Sequence, residues 1–272
     1  MPILATDRLQ DGATEVWFLH GILGSRRNWR GFVRQLAARR PDLGLRTVDL
    51  RCHGDSHGFA APHTIGACID DLRALAGGRR PAAVVGHSFG GKVAMAWAMA
   101  ADAPRQIWAL DSVPGGVGEA TAAAASDDVW QVIDGLERVP MPQPDRERVD
   151  AAMRAAKLGP AIRAWMTTNL QRAEDGLHWR FDLPAVRALL QSYGQIDTWS
   201  SLEGGSASET VFVRAGKGGR WQPAEIDRLE RAAALGHLRL HTLPEAGHWL
   251  HVDAPEALTT LLADGLLRAE VR

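Results

Sequence analysis

The sequence has few of the features that mark secreted, membrane-spanning or nucleic-acid-binding proteins. Its 272 residues include only two cysteines, Cys52 and Cys68, which are too few for a disulfide framework and lack metal-binding spacing. The formal net charge of −1 gives no basis for binding nucleic acid or an anionic membrane surface. No apolar run approaches bilayer length, and the N-terminus lacks a basic stretch followed by an apolar core. We therefore expect a soluble cytoplasmic protein without membrane insertion.

Cofactor motifs are also missing. The sequence contains no phosphate-binding Gly-x-x-x-x-Gly-Lys-[Ser/Thr], no dinucleotide fingerprint and no His-Glu-x-x-His, so we expect neither a cofactor nor a metal. A hydrophobic content of 46% and a charged content of 23% are ordinary for a globular protein, and the length fits one α/β domain with an insertion. The expected partner is a small-molecule substrate, and the oligomeric state is left open.

Apolar segments typical of buried strands alternate with segments of helical spacing in the first part of the chain. Strands are predicted at 15–19, 45–50, 82–86 and 107–111, and helices at 28–39, 65–75 and 91–101. This alternation predicts a mostly parallel central sheet with helices on both faces.

The alternation stops after residue 116, and the next ninety or so residues show helical segments but no convincing strand. Helices are predicted there at 127–136, 146–158, 161–170 and 183–191. A strand at 210–214, a helix at 223–235, a strand at 237–243 and a helix at 255–267 follow. We therefore predict a core of residues 1–116 and 207–272, with a helical cap at 117–206 inserted before the last two strands.

The motif Gly-x-Ser-x-Gly lies between a Val-rich strand and a helix. Gly86, Ser88 and Gly90 form this motif at the point where the predicted strand gives way to the helix. A sharp turn of this kind strains the serine backbone and exposes its hydroxyl, while the glycines let neighbouring backbone pass closely. The free N–H groups of the following helix point toward a negative charge developing at the serine. Ser88 is therefore the candidate nucleophile.

Four blocks of sequence together resemble the α/β-hydrolase superfamily. They are His20-Gly-Ile-Leu-Gly-Ser25, Arg51-Cys-His-Gly-Asp-Ser56, Gly86-His-Ser-Phe-Gly-Gly-Lys92 and Gly247-His-Trp-Leu-His251. These blocks are similar to the LHGLLGS, RNHGDS, GHSMGGK and GHW motifs of a small esterase branch. The resemblance implies the α/β-hydrolase fold and a serine hydrolase that cleaves short-acyl, apolar carboxylic esters through an acyl-enzyme intermediate. A thioesterase, a lactonase, a C–C bond hydrolase or a non-catalytic binding module remain alternatives.

Histidine is the expected general base, because a serine hydroxyl needs one to become nucleophilic. His248 follows a glycine in a loop between the last predicted strand and the last helix, where the family motif places the base. His251 is the alternative. We expect His87 to pack away from the serine turn, and His20 and His53 to bind backbone groups of their loops.

The acid that orients this histidine is harder to assign. In most α/β-hydrolases it follows the strand after the cap, but residues 213–220 contain no carboxylate. Asp111 ends the strand that follows the serine helix, and some family members carry their acid at that position. We therefore predict Asp111, with Asp227, Asp197 and Asp182 as alternatives.

Two backbone N–H groups are expected to form the oxyanion hole, those of Phe89 and of Ile22, with Leu23 as the alternative to Ile22. Apolar walls of a substrate pocket are expected from tryptophans, although those within 117–206 could form the core of the cap instead. The candidates are Trp130, Trp165, Trp199 and Trp249, with Met166 beside them.

Overall fold

The computed structural model describes residues 2–116, 127–217 and 221–267. The strands are β1 (Thr6–Gln10), β2 (Thr14–Leu19), β3 (Leu43–Val48), β4 (Ala83–His87), β5 (Gln106–Leu110), β6 (Leu170–Ala173), β7 (Gly176–Trp179), β8 (Glu209–Ala215) and β9 (Arg239–Leu243). The helices are α1 (Arg30–Arg39), α2 (Ile65–Ala76), α3 (Phe89–Trp97), α4 (Asp127–Glu137), α5 (Arg146–Ala155), α6 (Pro160–Thr167), α7 (Leu183–Gln195), α8 (Trp199–Glu203), α9 (Pro223–Ala234), α10 (Leu250–Asp253) and α11 (Pro255–Gly265).

The main sheet has seven strands in the order β1-β3-β2-β4-β5-β8-β9. Every neighbouring pair is parallel except β1 and β3, which are antiparallel. Alternate residues of β2 enter two separate cores: Phe18 packs with α1 and α11, and Trp17 packs with α2 and α3. The predicted parallel sheet with helices on both faces is therefore confirmed, and the carboxyl ends of six parallel strands meet at one edge.

The segment between β5 and β8 contains α4 to α8, and four of these helices were predicted from helical spacing. The prediction that this segment has no strand is wrong, since β6 and β7 form an antiparallel hairpin. Each of these strands has only four residues, too few to show a clear alternation of polar and apolar side chains. The predicted start of the insertion at residue 117 lies outside the described residues.

Two histidines join the loops that follow β2 and β3. His20 Nε2 accepts a hydrogen bond from the Leu50 N–H at 3.0 Å, and His53 Nε2 accepts one from the Leu23 N–H at 3.2 Å. Each bond runs from one loop to the other, and the two ring centroids are 5.0 Å apart. The loops are therefore held in register by side chains that must be neutral, because a protonated Nε2 could not accept.

Acid should destabilise the protein by protonating these two histidines. Burial lowers the pKa of His20 to about 4, and burial together with the neighbouring His20 lowers the pKa of His53 to about 3. The unfolded chain, with histidine pKa values near 6.5, takes up protons first as the pH falls. The free energy of unfolding should therefore decrease between pH 6.5 and pH 4, by up to about 1.4 kcal/mol per pH unit for each histidine.

Urea denaturation at pH 7, 6 and 5 measures this decrease. His53→Asn should reduce the slope of the unfolding free energy against pH by up to about 1.4 kcal/mol per pH unit, which corresponds to one proton. The control His57→Gln, at an exposed position, should leave this slope unchanged. A wild-type stability that is constant from pH 7 to pH 5 would contradict the assigned neutral state of the pair.

Candidate active site

Ser88 occupies a strained turn between β4 and α3. Its φ is 51° and its ψ is −114°, a conformation that non-glycine residues rarely adopt. A Cβ on Gly86 would lie 2.1 Å from the Gly90 carbonyl oxygen, and one on Gly90 would lie 2.6 Å from that of Leu19. Only glycine fits at these two positions, so the flanking glycines allow the sharp turn that presents Ser88 at the carboxyl edge of the sheet.

Asp111 and His248 meet at the same edge, although 137 positions separate them in the chain. His248 Nδ1 lies 2.7 Å from Asp111 Oδ2, a distance at which the ring N–H donates to the carboxylate. The other carboxylate oxygen, Oδ1, accepts from the Ala215 N–H at 3.0 Å and from Trp221 Nε1 at 2.7 Å. Both oxygens of this fully buried carboxylate are therefore fixed in place.

The surroundings keep Asp111 ionised. Burial by itself would raise the pKa of this carboxyl group. The hydrogen bond and charge of His248, with the N–H groups of Ala215 and Trp221, outweigh burial and lower the pKa below its usual value. An ionised carboxylate at Nδ1 holds the imidazole in one tautomer and stabilises its protonated form.

The alternative aspartates have other contacts. Asp182 accepts from the Ala185 N–H at 3.1 Å and so begins α7, and Asp197 accepts from the Trp199 N–H at 2.7 Å. Asp227 lies within α9. The stretch expected to carry the acid, 213–220, instead supplies a backbone donor to Asp111, and its last three residues lie outside the described residues.

Two further histidines, His87 and His251, lie near His248. His87 Nε2 donates to the His248 carbonyl oxygen at 2.7 Å, and their ring centroids are 4.7 Å apart. The expectation that His87 faces away is therefore wrong, and no sequence pattern marks this contact. His251 packs against Trp29 and His87, at centroid distances of 4.6 and 5.2 Å. Burial lowers the pKa of His251 to about 4.

The backbone N–H groups expected at the oxyanion hole differ in their partners. The Leu23 N–H already donates to His53, and Leu23 is fully buried. Ile22 and Phe89 both line the cavity that contains Ser88. Phe89 is the first residue of α3, where the N–H has no acceptor within the helix. The geometry therefore favours Ile22 over Leu23.

Ser88, His248 and Asp111 line one cavity of about 1070 Å³. Three of the four predicted tryptophans, Trp130, Trp165 and Trp249, also line it, and the rings of Trp165 and Trp249 pack together with centroids 5.6 Å apart. Val129 and Ile162 add further apolar surface. The cavity is thus lined both by the candidate reactive groups at the carboxyl edge of the sheet and by apolar side chains from the inserted segment.

Two predicted wall residues lie elsewhere. Trp199 begins α8 and is buried in a core cluster with Met95 and Phe212, because this short helix packs against the sheet. Met166 is fully buried in the core of the inserted segment, with Ile133 and Val186. Helical spacing predicts that such residues face inward, but it does not distinguish a core from a cavity.

Across 2–116, 127–217 and 221–267, no group of three or more His, Cys, Asp or Glu side chains is placed to hold a metal ion. In the same ranges, no helix combines the length and apolarity needed to cross a bilayer.

The chain is similar to known lipases and esterases. Mouse sn-1-specific diacylglycerol lipase ABHD11 is 30% identical over 257 residues, which cover 90% of this chain and 80% of the mouse protein. Esterase YbfF of Escherichia coli is 26% identical over 257 residues, covering 93% of each chain. A solved marine microorganism esterase shares the fold, with a TM-score of 0.81 and 20% identity over 98% of this chain and all of that one. Residues 18–261 match the model of the alpha/beta hydrolase family, and the chain therefore belongs to that family.

Proposed function

We propose that the protein is a serine hydrolase that cleaves carboxylic esters with apolar groups. The observation that carries this proposal is the 2.7 Å hydrogen bond between His248 and Asp111, in the same cavity as the strained Ser88. The names of the mouse lipase and the E. coli esterase support ester hydrolysis as the reaction class.

The proposed reaction has two steps. Ser88 Oγ attacks the ester carbonyl carbon while His248 takes its proton, and the alcohol then leaves with that proton as the C–O bond breaks. A water molecule, deprotonated by His248, then attacks the acyl carbonyl carbon. The bond from that carbon to Ser88 Oγ breaks, His248 returns the proton to Ser88 Oγ, and the carboxylic acid is released. Asp111 stabilises the imidazolium in both steps, and the N–H groups of Ile22 and Phe89 stabilise the oxyanion.

The inserted segment, predicted at 117–206, is proposed to act as a cap that contributes the apolar side of the cavity. Trp130 and Trp165 come from this segment and line the cavity of Ser88 together with Trp249. A volume of about 1070 Å³ is slightly above the usual range for small-molecule pockets, so there is room for a longer acyl chain than the short one expected from the sequence. The proposed substrate is an uncharged ester that buries apolar surface against these tryptophans.

Replacing the nucleophile should abolish the reaction. Ser88→Ala should reduce kcat for p-nitrophenyl ester hydrolysis by at least about 10⁴-fold, because no hydroxyl remains to form the acyl-enzyme. The exposed Ser200→Ala is the matched control and should keep wild-type turnover. Circular dichroism checks that both variants fold. Substantial turnover by folded Ser88→Ala would refute the proposal.

Replacing the acid tests its assignment. Asp111→Asn should lower kcat by about 10⁴-fold, because the amide cannot hold His248 in the required tautomer or stabilise its charge. Asp197→Asn and Asp227→Asn are the controls and should keep kcat within a few-fold of wild type. If Asp111→Asn kept near-normal turnover and one of the two controls lost most of its turnover, the aspartate replaced in that control would be the acid instead of Asp111.

Acyl-chain preference tests the role of the tryptophans. Trp165→Ala should raise KM for long-chain p-nitrophenyl esters by about 10- to 100-fold, since about 1.5–3 kcal/mol of apolar contact is lost. KM for the acetyl ester should change little. The control Trp199→Phe changes a residue outside the cavity and should leave both KM values unchanged. Equal KM shifts for short and long acyl chains in Trp165→Ala would exclude the proposed contact between Trp165 and the acyl chain.

Thioesters and lactones in the same substrate panel test the alternative leaving groups, which the same chemistry would accept.

A further inference from the structure

Lys92 is a fully buried lysine that the proposed reaction does not use. It lies one helical turn after Ser88 in α3, and its backbone N–H donates to the Ser88 carbonyl oxygen at 3.1 Å. Burying an ammonium group costs several kcal/mol unless its N–H groups are satisfied. The hydrogen-bond partners of the Lys92 ammonium group therefore indicate its role.

The Lys92 ammonium group donates to three backbone carbonyl oxygens. Nζ lies 2.8 Å from the oxygens of Pro114 and Gly115 and 2.9 Å from that of Ile196. The Pro114 oxygen also accepts from the N–H and the hydroxyl of Thr198, each at 3.0 Å. One ammonium group thus joins the helix of Ser88 to the turn after Asp111 and to the segment that follows α7.

The turn that Lys92 holds is the one that carries Asp111. Asp111 has a φ of 45°, a left-handed conformation that surrounding contacts must maintain. On its N-terminal side the chain is fixed by β5 and by the bond from the Asp111 N–H to the Val213 carbonyl oxygen at 2.8 Å. On its C-terminal side, Pro114 and Gly115 are fixed by Lys92. The direction of the Asp111 carboxylate therefore depends on both attachments.

We propose that Lys92 is a positioning residue whose ammonium group holds the 112–115 turn so that Asp111 stays aligned with His248 Nδ1. This inference rests on the proposed function of Asp111 and His248. Lys92 acts through the turn rather than on the substrate, and the three carbonyl bonds require all three of its N–H groups. Loss of the proton leaves only two N–H donors, so at least one attachment is lost.

The protonation state of Lys92 gives the proposal a measurable consequence. Burial lowers the pKa of the Lys92 ammonium group to about 7. The titratable groups around it are Asp197 after α7 and Glu225 on α9, whose charges favour the ammonium form, and Tyr193 on α7, whose ring centroid is 4.7 Å from Nζ. As pH rises from 7 to 9, the ammonium form decreases and the Asp111–His248 alignment should weaken with it.

Lys92→Met tests the role with a side chain of similar length and no charge. We expect kcat to fall by about 10²-fold, as a misplacement of about 1 Å can cause. KM should change less than about 2-fold, because Lys92 does not contact substrate. The decline of wild-type activity between pH 7 and pH 9 should be absent from the variant. Val93→Ala, a buried change in the same helix, is the control for lost stability and should keep the wild-type pH profile.

An NMR signal of the Asp111–His248 hydrogen bond tests the role of Lys92 independently of esterase activity. The His248 Nδ1 proton should give a strongly downfield ¹H NMR signal, assigned by its loss in Asp111→Asn. In Lys92→Met the signal should shift or broaden, and in Val93→Ala it should stay. A wild-type protein without esterase activity would refute the proposed function, and the NMR signal would still decide whether Lys92 positions Asp111.

An unchanged kcat, pH profile and downfield signal in Lys92→Met would overturn the inference. If that variant does not fold, Lys92→Gln takes its place, because its amide can still donate to two of the carbonyls while it lacks a titrating amine. The same three readouts are expected to change in Lys92→Gln, and wild-type values for all three would overturn the inference equally.

Discussion

The 2.7 Å hydrogen bond between His248 and Asp111 depends on three separate elements being placed together. Asp111 needs β5 and β8 paired in register, since the Ala215 N–H and the Trp221 indole fix its second oxygen. His248 needs the loop after β9, where the side chain of His87 binds its carbonyl oxygen. A shift of β5 against β8 by one residue would move the carboxylate to the other face of the sheet. The parallel sheet is thus the constraint on which the site geometry depends.

Strain is concentrated at the edge of the sheet where these groups meet. Leu23, Cys52, Ser88 and Asp111 all have positive φ, and each follows a parallel strand. Such conformations cost about 1–3 kcal/mol each and persist where surrounding contacts hold them. Here the contacts are between loops: the His20–His53 pair holds the loops after β2 and β3, and Lys92 holds the turn after β5. The fold therefore maintains the strained residues through buried polar groups rather than through apolar packing alone.

Local sequence patterns predicted most of the fold and the core of the site. The strand and helix periods predicted the sheet and most helices, and the glycines around Ser88 predicted its turn, since both effects act over a few residues. Contacts between distant loops were not predictable in this way. The His87 side chain on His248, the Lys92 bonds to a turn and the burial of Trp199 all depend on tertiary packing. The β6–β7 hairpin was missed because its strands are too short to show a period.

In the proposed reaction, Ser88 is the nucleophile, activated by His248 and Asp111. Labelling with a fluorophosphonate probe, followed by peptide mass spectrometry, tests it most directly, because the probe reacts only with an activated serine. We expect one adduct, on the peptide that contains Ser88. Esterase activity should be lost in proportion to labelling, and the probe should react much more slowly with Asp111→Asn. An adduct on another serine, or complete labelling of Ser88 without loss of activity, would contradict it.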